Sequence, residues 1–241
     1  MSLGSRFDSL EETGGNLRFL QAILTEVPLT AESRILEIGC GTGALGGFMS
    51  AAVGAEVYGI ELSAELAVIA GNRIQCFHSP EGNIPEALDL FHLIYCKDML
   101  MMVTDKKKFF RSIRLRLRDG GAFCTYMPAE YDYQKKPLFS FVPCSLGTSR
   151  VSYGSLENNL DLLKQAGFKT VRTIRLLLSS IQMNESYVRR HRDGYFSNSD
   201  LHAYEPERSA GLGALLSVAN SLEDFGILAH YEWERTMVVA Q

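Results

Sequence analysis

The feature that most constrains the fold of this chain is a glycine-rich segment directly after a short apolar run. Residues 35–38 read ILEI and residues 39–43 read GCGTG. Apolar runs of this length are typical of buried strands, and clustered glycines are typical of tight turns. Glycine also lets the backbone approach a ligand closely, because it has no side chain. The sequence therefore predicts a ligand site at the carboxyl end of the first strand.

Predicted strands and helices alternate along most of the chain. This alternation is typical of an α/β protein with a doubly wound, mostly parallel sheet and helices on both faces. We predict strands at 35–38, 56–61, 74–77, 90–96, 122–127, 168–176 and 230–239. We predict helices at 16–27, 44–53, 63–71, 105–118, 155–166 and 208–224.

Composition and charge exclude several classes of protein. Of the 241 residues, 46% are hydrophobic and 22% are charged, which is typical of a globular chain. No window reaches about 18 consecutive apolar residues, and the amino terminus lacks an apolar leader, so we predict no membrane contact and no secretion. The net charge of −4 disfavours a nucleic acid as the partner.

The cysteines favour a reducing compartment. Their number is odd, and no two of them have the spacing of a metal-ligand pair. Most fall in predicted strands, where a cysteine is typically a small core side chain. We therefore predict a cytoplasmic protein with free thiols and no bound metal. The five are Cys40, Cys76, Cys96, Cys124 and Cys144.

Two interpretations of the glycine segment compete. Residues 41–46 match G-x-G-x-x-G, and Glu61 follows Gly41 by 20 residues, which is the fingerprint of an NAD-binding oxidoreductase. However, Glu37 stands two residues before Gly39, at the same strand end. A carboxylate there would repel a pyrophosphate and attract a cation. A cationic ligand without phosphate is therefore favoured.

The pattern acid-x-Gly-x-Gly-x-Gly resembles motif I of the class I S-adenosylmethionine-dependent methyltransferases. Segments 58–63, 91–98, 117–123 and 163–168 are similar to later parts of that family, in the same order. S-adenosylmethionine carries an ammonium and a sulfonium but no phosphate, which suits the acid before the glycines. The resemblance implies this methyl donor, with S-adenosylhomocysteine as product. It also implies a seven-stranded sheet in the order 3-2-1-4-5-7-6, with the last strand antiparallel.

The resemblance implies a set of cofactor-binding residues around the glycine segment. The glycines shape the pocket, Glu37 and Glu61 hold opposite ends of the cofactor, and Glu61 accepts both ribose hydroxyls. Near the end of the third strand the family usually has an Asp for the adenine, and His78 or Ser79 occupies that place here. The full set is Glu37, Gly39, Cys40, Gly41, Gly43, Glu61, Leu62, His78, Ser79 and Cys96.

The catalytic residues are less well defined. Many members of the family have a Glu-His pair after the fourth strand, where this chain has Met101 and Met102. Methionine removes no proton, so a general base would come from elsewhere, with His191 and Tyr126 as candidates. A non-catalytic module that binds S-adenosylmethionine therefore stays open as an alternative. Further candidates are Glu130, Tyr131, His202 and Tyr204.

The acceptor is expected to be a small molecule. We predict one methyltransferase-like domain over residues 1–241, with a cap or insertion at 179–207. That insertion mixes aromatic and cationic side chains, which suits a flat or anionic acceptor. The sequence thus favours O- or N-methylation of a small molecule, while the acceptor and the oligomeric state stay open.

Overall fold

The computed structural model describes residues 14–129, 132, 140–142, 153–182, 184–185, 188–189, 205–224 and 230–241. The helices of these residues longer than one turn are α1 (Gly14–Glu26), α2 (Ala44–Val53), α3 (Ala64–Ala70), α4 (Lys106–Arg116), α5 (Leu156–Gln165) and α6 (Glu205–Asp224). The strands are β1 (Arg34–Ile38), β2 (Glu56–Glu61), β3 (Gln75–His78), β4 (Phe91–Cys96), β5 (Leu117–Tyr126), β6 (Val171–Gln182) and β7 (His230–Ala240).

The seven strands form one sheet in the order β3-β2-β1-β4-β5-β7-β6. The pairs among β1 to β5 are parallel, and β7 runs antiparallel to β5, with Phe123 opposite Ala240. The predicted fold and strand order are therefore confirmed. The chain reverses its direction of winding between β1 and β4, and a sheet of this type binds ligands at the carboxyl ends of the strands there.

The central strands form the core. Ile35 and Leu36 of β1 and Leu93 and Ile94 of β4 are completely buried. Successive side chains of a strand point to opposite faces, so burial of neighbouring residues shows that both faces are covered. Strands covered on both faces consist largely of consecutive apolar residues, and this explains the apolar run at residues 35–38.

Capping residues define the helix ends. Helix α2 ends at Gly54, which has φ 75° as a left-handed cap. The Ser63 hydroxyl accepts from Leu66 N at 3.3 Å and begins α3. The Asp105 carboxylate accepts from Lys108 N at 2.9 Å and begins α4. Caps of this kind typically stabilise a helix by about 1 kcal/mol each.

Strand β5 begins earlier than the sequence predicts. The predicted helix at 105–118 ends at Arg116, and the strand begins at Leu117 rather than at residue 122. Leu117 pairs with Phe91, but the next pair joins Ala122 to Leu93, so β5 holds an irregularity in its pairing. The paired glycines of residues 120–121 lie inside this irregular stretch of β5 rather than before the strand.

The chain divides into two compact units. One consists of residues 1–127, 157–176 and 236–241, and the other of residues 128–156 and 177–235. The whole predicted cofactor set belongs to the first unit. The prediction of a single domain with an insertion at 179–207 stays a prediction. Residues 179–182 continue β6, and most of the remaining insertion lies outside the described residues.

Candidate functional site

The glycine segment forms a loop that requires glycine at three positions. Gly39, Gly41 and Gly43 have φ of 72°, 57° and 75°, in the left-handed region that L side chains rarely adopt. The backbone N–H groups of Gly39 and Cys40 both donate to Ile60 O, at 2.8 and 3.1 Å. The loop is thus fixed to the end of β2 and presents backbone rather than side chains.

Two of these glycines also make close approaches. A Cβ at Gly39 would lie 2.7 Å from Met99 Cγ, and a Cβ at Gly43 would lie 3.1 Å from Ala70 Cα. Real side chains essentially never approach this closely at the first position, so Gly39 is required by packing as well as by backbone conformation.

Glu61 joins the end of β2 to the glycine loop. Its Oε2 accepts from Gly41 N at 2.8 Å, and its Oε1 accepts from Leu62 N at 2.8 Å and Ser63 N at 2.9 Å. The residue is only 7% exposed. A carboxylate has about four acceptor positions, so three backbone donors leave one position on Oε2. Glu61 therefore holds the glycine loop to the end of β2 and retains one acceptor position.

Glu37 is the second buried acid of this edge, at 3% exposure. The Tyr95 hydroxyl donates to Glu37 Oε2 at 3.1 Å, and a Cβ at Gly46 would lie 2.9 Å from the same oxygen. The carboxylate thus lies against the first turns of α2, where the helix dipole favours a negative charge. Tyr95 is absent from the predicted set, although it is the register partner of Glu37 across β1 and β4.

The end of β3 lies beside Glu61. Ser79 N donates to Glu61 O at 2.8 Å, and His78 Nε2 is 3.1 Å from Leu62 O. The structure therefore brings both predicted adenine-site residues to the same edge as the predicted ribose acid. The side chain of His78 is exposed.

Cys96 and Tyr126 occupy the interior rather than an open edge. Cys96 Sγ donates to Thr125 Oγ1 at 3.1 Å, and burial raises the pKa of this thiol to about 12. The ring of Tyr126 is 1% exposed and lies 4.4 Å from that of Phe19. Their proposed roles stay predictions. His191, Glu130, Tyr131, His202 and Tyr204 lie outside the described residues.

The segment after β4 contains a residue with a left-handed backbone that the predicted set omits. Asp98 has φ 53°, the one positive φ among non-glycine residues in the described part of the chain. Lys97 Nζ lies 2.6 Å from Asp98 Oδ2. Aspartate enters the left-handed region more readily than most residues, because its short polar side chain can form local hydrogen bonds, so this conformation is typical of a tight turn.

The described residues contain neither a metal-ligand cluster nor a membrane-spanning helix. No group of three or more His, Cys, Asp or Glu side chains there could hold a metal ion. No helix in that part of the chain has both the length and the apolar character needed to cross a membrane.

Sequence comparison finds two curated relatives that are named as methyltransferases. The chain is 25% identical over 211 residues to phosphoethanolamine N-methyltransferase 1 of Zea mays, covering 82% of this chain and 41% of the relative. It is 27% identical over 125 residues to trans-aconitate 2-methyltransferase of Deinococcus radiodurans, covering 51% and 47%. The chain thus spans less than half the length of these curated relatives.

A solved structure shares the fold of this chain, and a family model matches its sequence. A protein of Anabaena variabilis, described as a methyltransferase from an antibiotic biosynthesis pathway, superposes with a TM-score of 0.72 at 17% identity, over 93% of this chain and 97% of that one. The model of the family described as "Methyltransferase domain" matches residues 12–173, which is more than half of the 241 residues. The chain therefore belongs to the methyltransferase domain family, in agreement with the predicted resemblance.

Proposed function

We propose that this protein binds S-adenosylmethionine at the carboxyl edge of β1, β2 and β3 and transfers its methyl group to a small-molecule acceptor. The observation that carries the proposal is the position of Glu61, whose carboxylate joins the end of β2 to the glycine loop after β1. A carboxylate at this place in a doubly wound sheet accepts hydrogen bonds from the hydroxyls of a ribose.

The residues at this edge fit that cofactor. Oε2 of Glu61 keeps an acceptor position for one ribose hydroxyl, and a second hydroxyl would replace one of the backbone donors. Gly39, Gly41 and Gly43 leave the loop backbone open to close approach. The cofactor supplies a methyl group activated by its sulfonium.

Charge at the site favours this cofactor over a dinucleotide. Glu37 and Glu61 place two carboxylates at adjacent strand ends, both less than 10% exposed. An acid at the end of β2 suits either cofactor, but the additional carboxylate of Glu37 before the glycines attracts the ammonium and sulfonium of the donor and repels a pyrophosphate. This is the physical reason to prefer methyl transfer over NAD-dependent oxidation, although both use a glycine loop.

We propose an anionic acceptor. The two curated relatives are named for phosphoethanolamine and trans-aconitate, a phosphate ester and a tricarboxylate. In this chain the segment 179–207 contains Arg189, Arg190 and Arg192, and guanidinium groups bind phosphates and carboxylates with paired hydrogen bonds. The expected cytoplasmic location, inferred from the cysteines, is part of the same proposal.

Incubation with tritiated S-adenosylmethionine tests the proposed activity. We expect label to pass to phosphoethanolamine, to trans-aconitate or to both, and to pass about tenfold or more slowly in Glu61→Ala at subsaturating donor. Glu56→Gln serves as the control, because Glu56 lies at the opposite end of β2 with an exposed side chain. Equal transfer by both variants would contradict the assigned role of Glu61.

A second candidate is a module that binds the cofactor without catalysis. It is favoured by Met101 and Met102, which occupy the place of the Glu-His pair seen in many members of the family; Met102 is 59% exposed. Saturable binding of S-adenosylhomocysteine without label transfer to a broad set of acceptors would favour this candidate over the enzyme.

The role of the arginines in segment 179–207 can be separated from cofactor binding. Replacing Arg189, Arg190 and Arg192 together by Gln should lower kcat/KM for an anionic acceptor about tenfold or more, because charge-assisted hydrogen bonds are lost. The affinity for S-adenosylhomocysteine, measured by calorimetry, should be unchanged. Loss of cofactor affinity in this variant would mean that the segment serves the donor instead.

A further inference from the structure

Two cysteines on different elements meet beside the cofactor edge. Cys40 Sγ lies 3.6 Å from Cys76 Sγ. Cys40 belongs to the glycine loop after β1, and Cys76 belongs to β3, so strand β2 lies between their backbones. The two sulfur atoms are therefore brought together across an intervening strand.

Gly59 of β2 makes this meeting possible. It is the register partner of Cys76 on β3, and a Cβ at this position would lie 2.6 Å from Cys40 Sγ. Any larger residue would fill the space in which the sulfurs meet. The absence of a side chain at Gly59 thus opens a gap over β2 that the two thiols share.

The two thiols differ in exposure and in acidity. Cys40 is 1% exposed, whereas Cys76 is half-buried. The contact with Cys40 lowers the pKa of Cys76, and the same contact together with burial raises the pKa of Cys40. Because the thiolate is the reactive form, Cys76 is the thiol that a reagent from solvent would meet first.

We propose that Cys40 and Cys76 form a reversible disulfide that weakens cofactor binding. The oxidant class is a small disulfide such as glutathione disulfide. The Cys76 thiolate attacks one of its sulfurs, breaks the S–S bond and releases one thiolate. Cys40 then gives its proton to the released thiolate and attacks the Cys76 sulfur, and the second thiolate leaves and takes a proton from solvent. Two protein thiols are oxidised and one small disulfide is reduced to two thiols.

The disulfide acts on the loop that the proposed function assigns to the cofactor, and this part of the inference rests on that function. An S–S bond is about 2.05 Å long, so the sulfurs must approach each other by about 1.5 Å. Cys40 lies between Gly39 and Gly41, and Gly41 N donates to Glu61. A shift of the Cys40 backbone toward Cys76, which closes this gap when side-chain rotation does not, would displace the Gly41 N–H that holds the proposed ribose acceptor.

Mass spectrometry and calorimetry on the full chain test this inference. After treatment with glutathione disulfide, we expect a peptide that links Cys40 to Cys76, while Cys96 and Cys124 stay reduced, because complete burial raises the pKa of both thiols. The dissociation constant of S-adenosylhomocysteine should rise about tenfold or more and return after dithiothreitol. Cys76→Ser should keep its reduced-state affinity through the same treatment.

The outcomes separate this inference from the proposed function. A glutathione adduct on Cys76 without the linked peptide, or no reaction at all, overturns the disulfide. The linked peptide with unchanged affinity overturns its effect on the cofactor. Failure of the reduced protein to bind S-adenosylhomocysteine refutes the proposed function, while the linked peptide would still establish the disulfide.

Discussion

At the scale of single residues, Glu61 has two roles. Its carboxylate accepts hydrogen bonds from three backbone N–H groups, and we propose that it also binds the ribose. Glu61→Ala should weaken binding of S-adenosylhomocysteine by about 1.5–3 kcal/mol, because charge-assisted hydrogen bonds are lost. Isothermal titration calorimetry measures this change. Glu56 lies at the other end of β2, where it contacts Arg34 at 3.6 Å and accepts from the Tyr58 hydroxyl at 2.8 Å, so Glu56→Gln should change the affinity little.

Gly39 provides a second prediction at this scale. Gly39→Ala should destabilise the fold by about 1–3 kcal/mol more than Gly120→Ala. Both positions have positive φ, at 72° and 75°. A Cβ at Gly39 would meet Met99 Cγ at 2.7 Å, whereas nothing lies within 4 Å of one at Gly120. Urea unfolding compares the free energies of unfolding of the two variants. Equal losses of stability would show that the Met99 side chain moves readily out of the way.

At the scale of elements, helix α2 contains a matched pair of glycines. Alanine stabilises a helix interior relative to glycine by about 0.5–1 kcal/mol, and Gly47→Ala should gain this, since its Cβ would lie 3.7 Å from Arg73 Cβ. Gly46→Ala should instead destabilise by about 1–3 kcal/mol. Its Cβ would lie 2.9 Å from Glu37 Oε2. Chemical denaturation measures the free energy of unfolding of both variants. Stabilisation by both substitutions would contradict close packing of α2 on Glu37.

The pairing of β1 with β4 should give a pH-dependent stability. Arg34 N donates to His92 Nδ1 at 2.9 Å. Desolvation, followed by the charges of Arg118 and Arg34, lowers the pKa of His92 below its usual 6.5. Near this pKa the folded state thus binds fewer protons than the unfolded state. The contribution of His92 to the free energy of unfolding is therefore fully present above pH 6.5 and is lost as the pH falls through the pKa of the folded state.

The variant His92→Asn isolates this effect. Asparagine keeps a side-chain acceptor near Arg34 N but does not titrate. The free energy of unfolding of the His92→Asn variant should therefore fall less between pH 7 and pH 5 than that of the unchanged protein. Parallel pH profiles for the two proteins would show that His92 contributes nothing to the pH dependence.

Sequence patterns predict the elements well where local chemistry decides them. Continuous apolar runs mark β1 and β4, and residues such as Ser63 and Gly54 mark helix ends. They miss the start of β5 at Leu117, because the irregular pairing there depends on how β5 lies against β4. That pairing is a tertiary fact, and no local pattern in residues 117–121 specifies it.

At the scale of the whole molecule, strand order decides which residues meet. The family resemblance supplies that order, and from it follow the shared edge of Glu37 and Glu61 and the place of His78. Tyr95 and Cys76 are different, because register sets their contacts: Tyr95 lies opposite Glu37 on the neighbouring strand, and Cys76 lies opposite Gly59, over which it meets Cys40. Predicting the Tyr95 contact requires the β1–β4 register, and predicting the Cys76 contact requires the β2–β3 register.

The central claim is that the edge organised by Glu61 binds an adenosyl cofactor rather than a dinucleotide. Calorimetric titration of the reduced protein with S-adenosylhomocysteine, and separately with NAD, tests it most directly. The account predicts saturable binding of S-adenosylhomocysteine, weakened by about 1.5–3 kcal/mol in Glu61→Ala, and no binding of NAD. Binding of NAD with no heat from S-adenosylhomocysteine at millimolar concentration would contradict it.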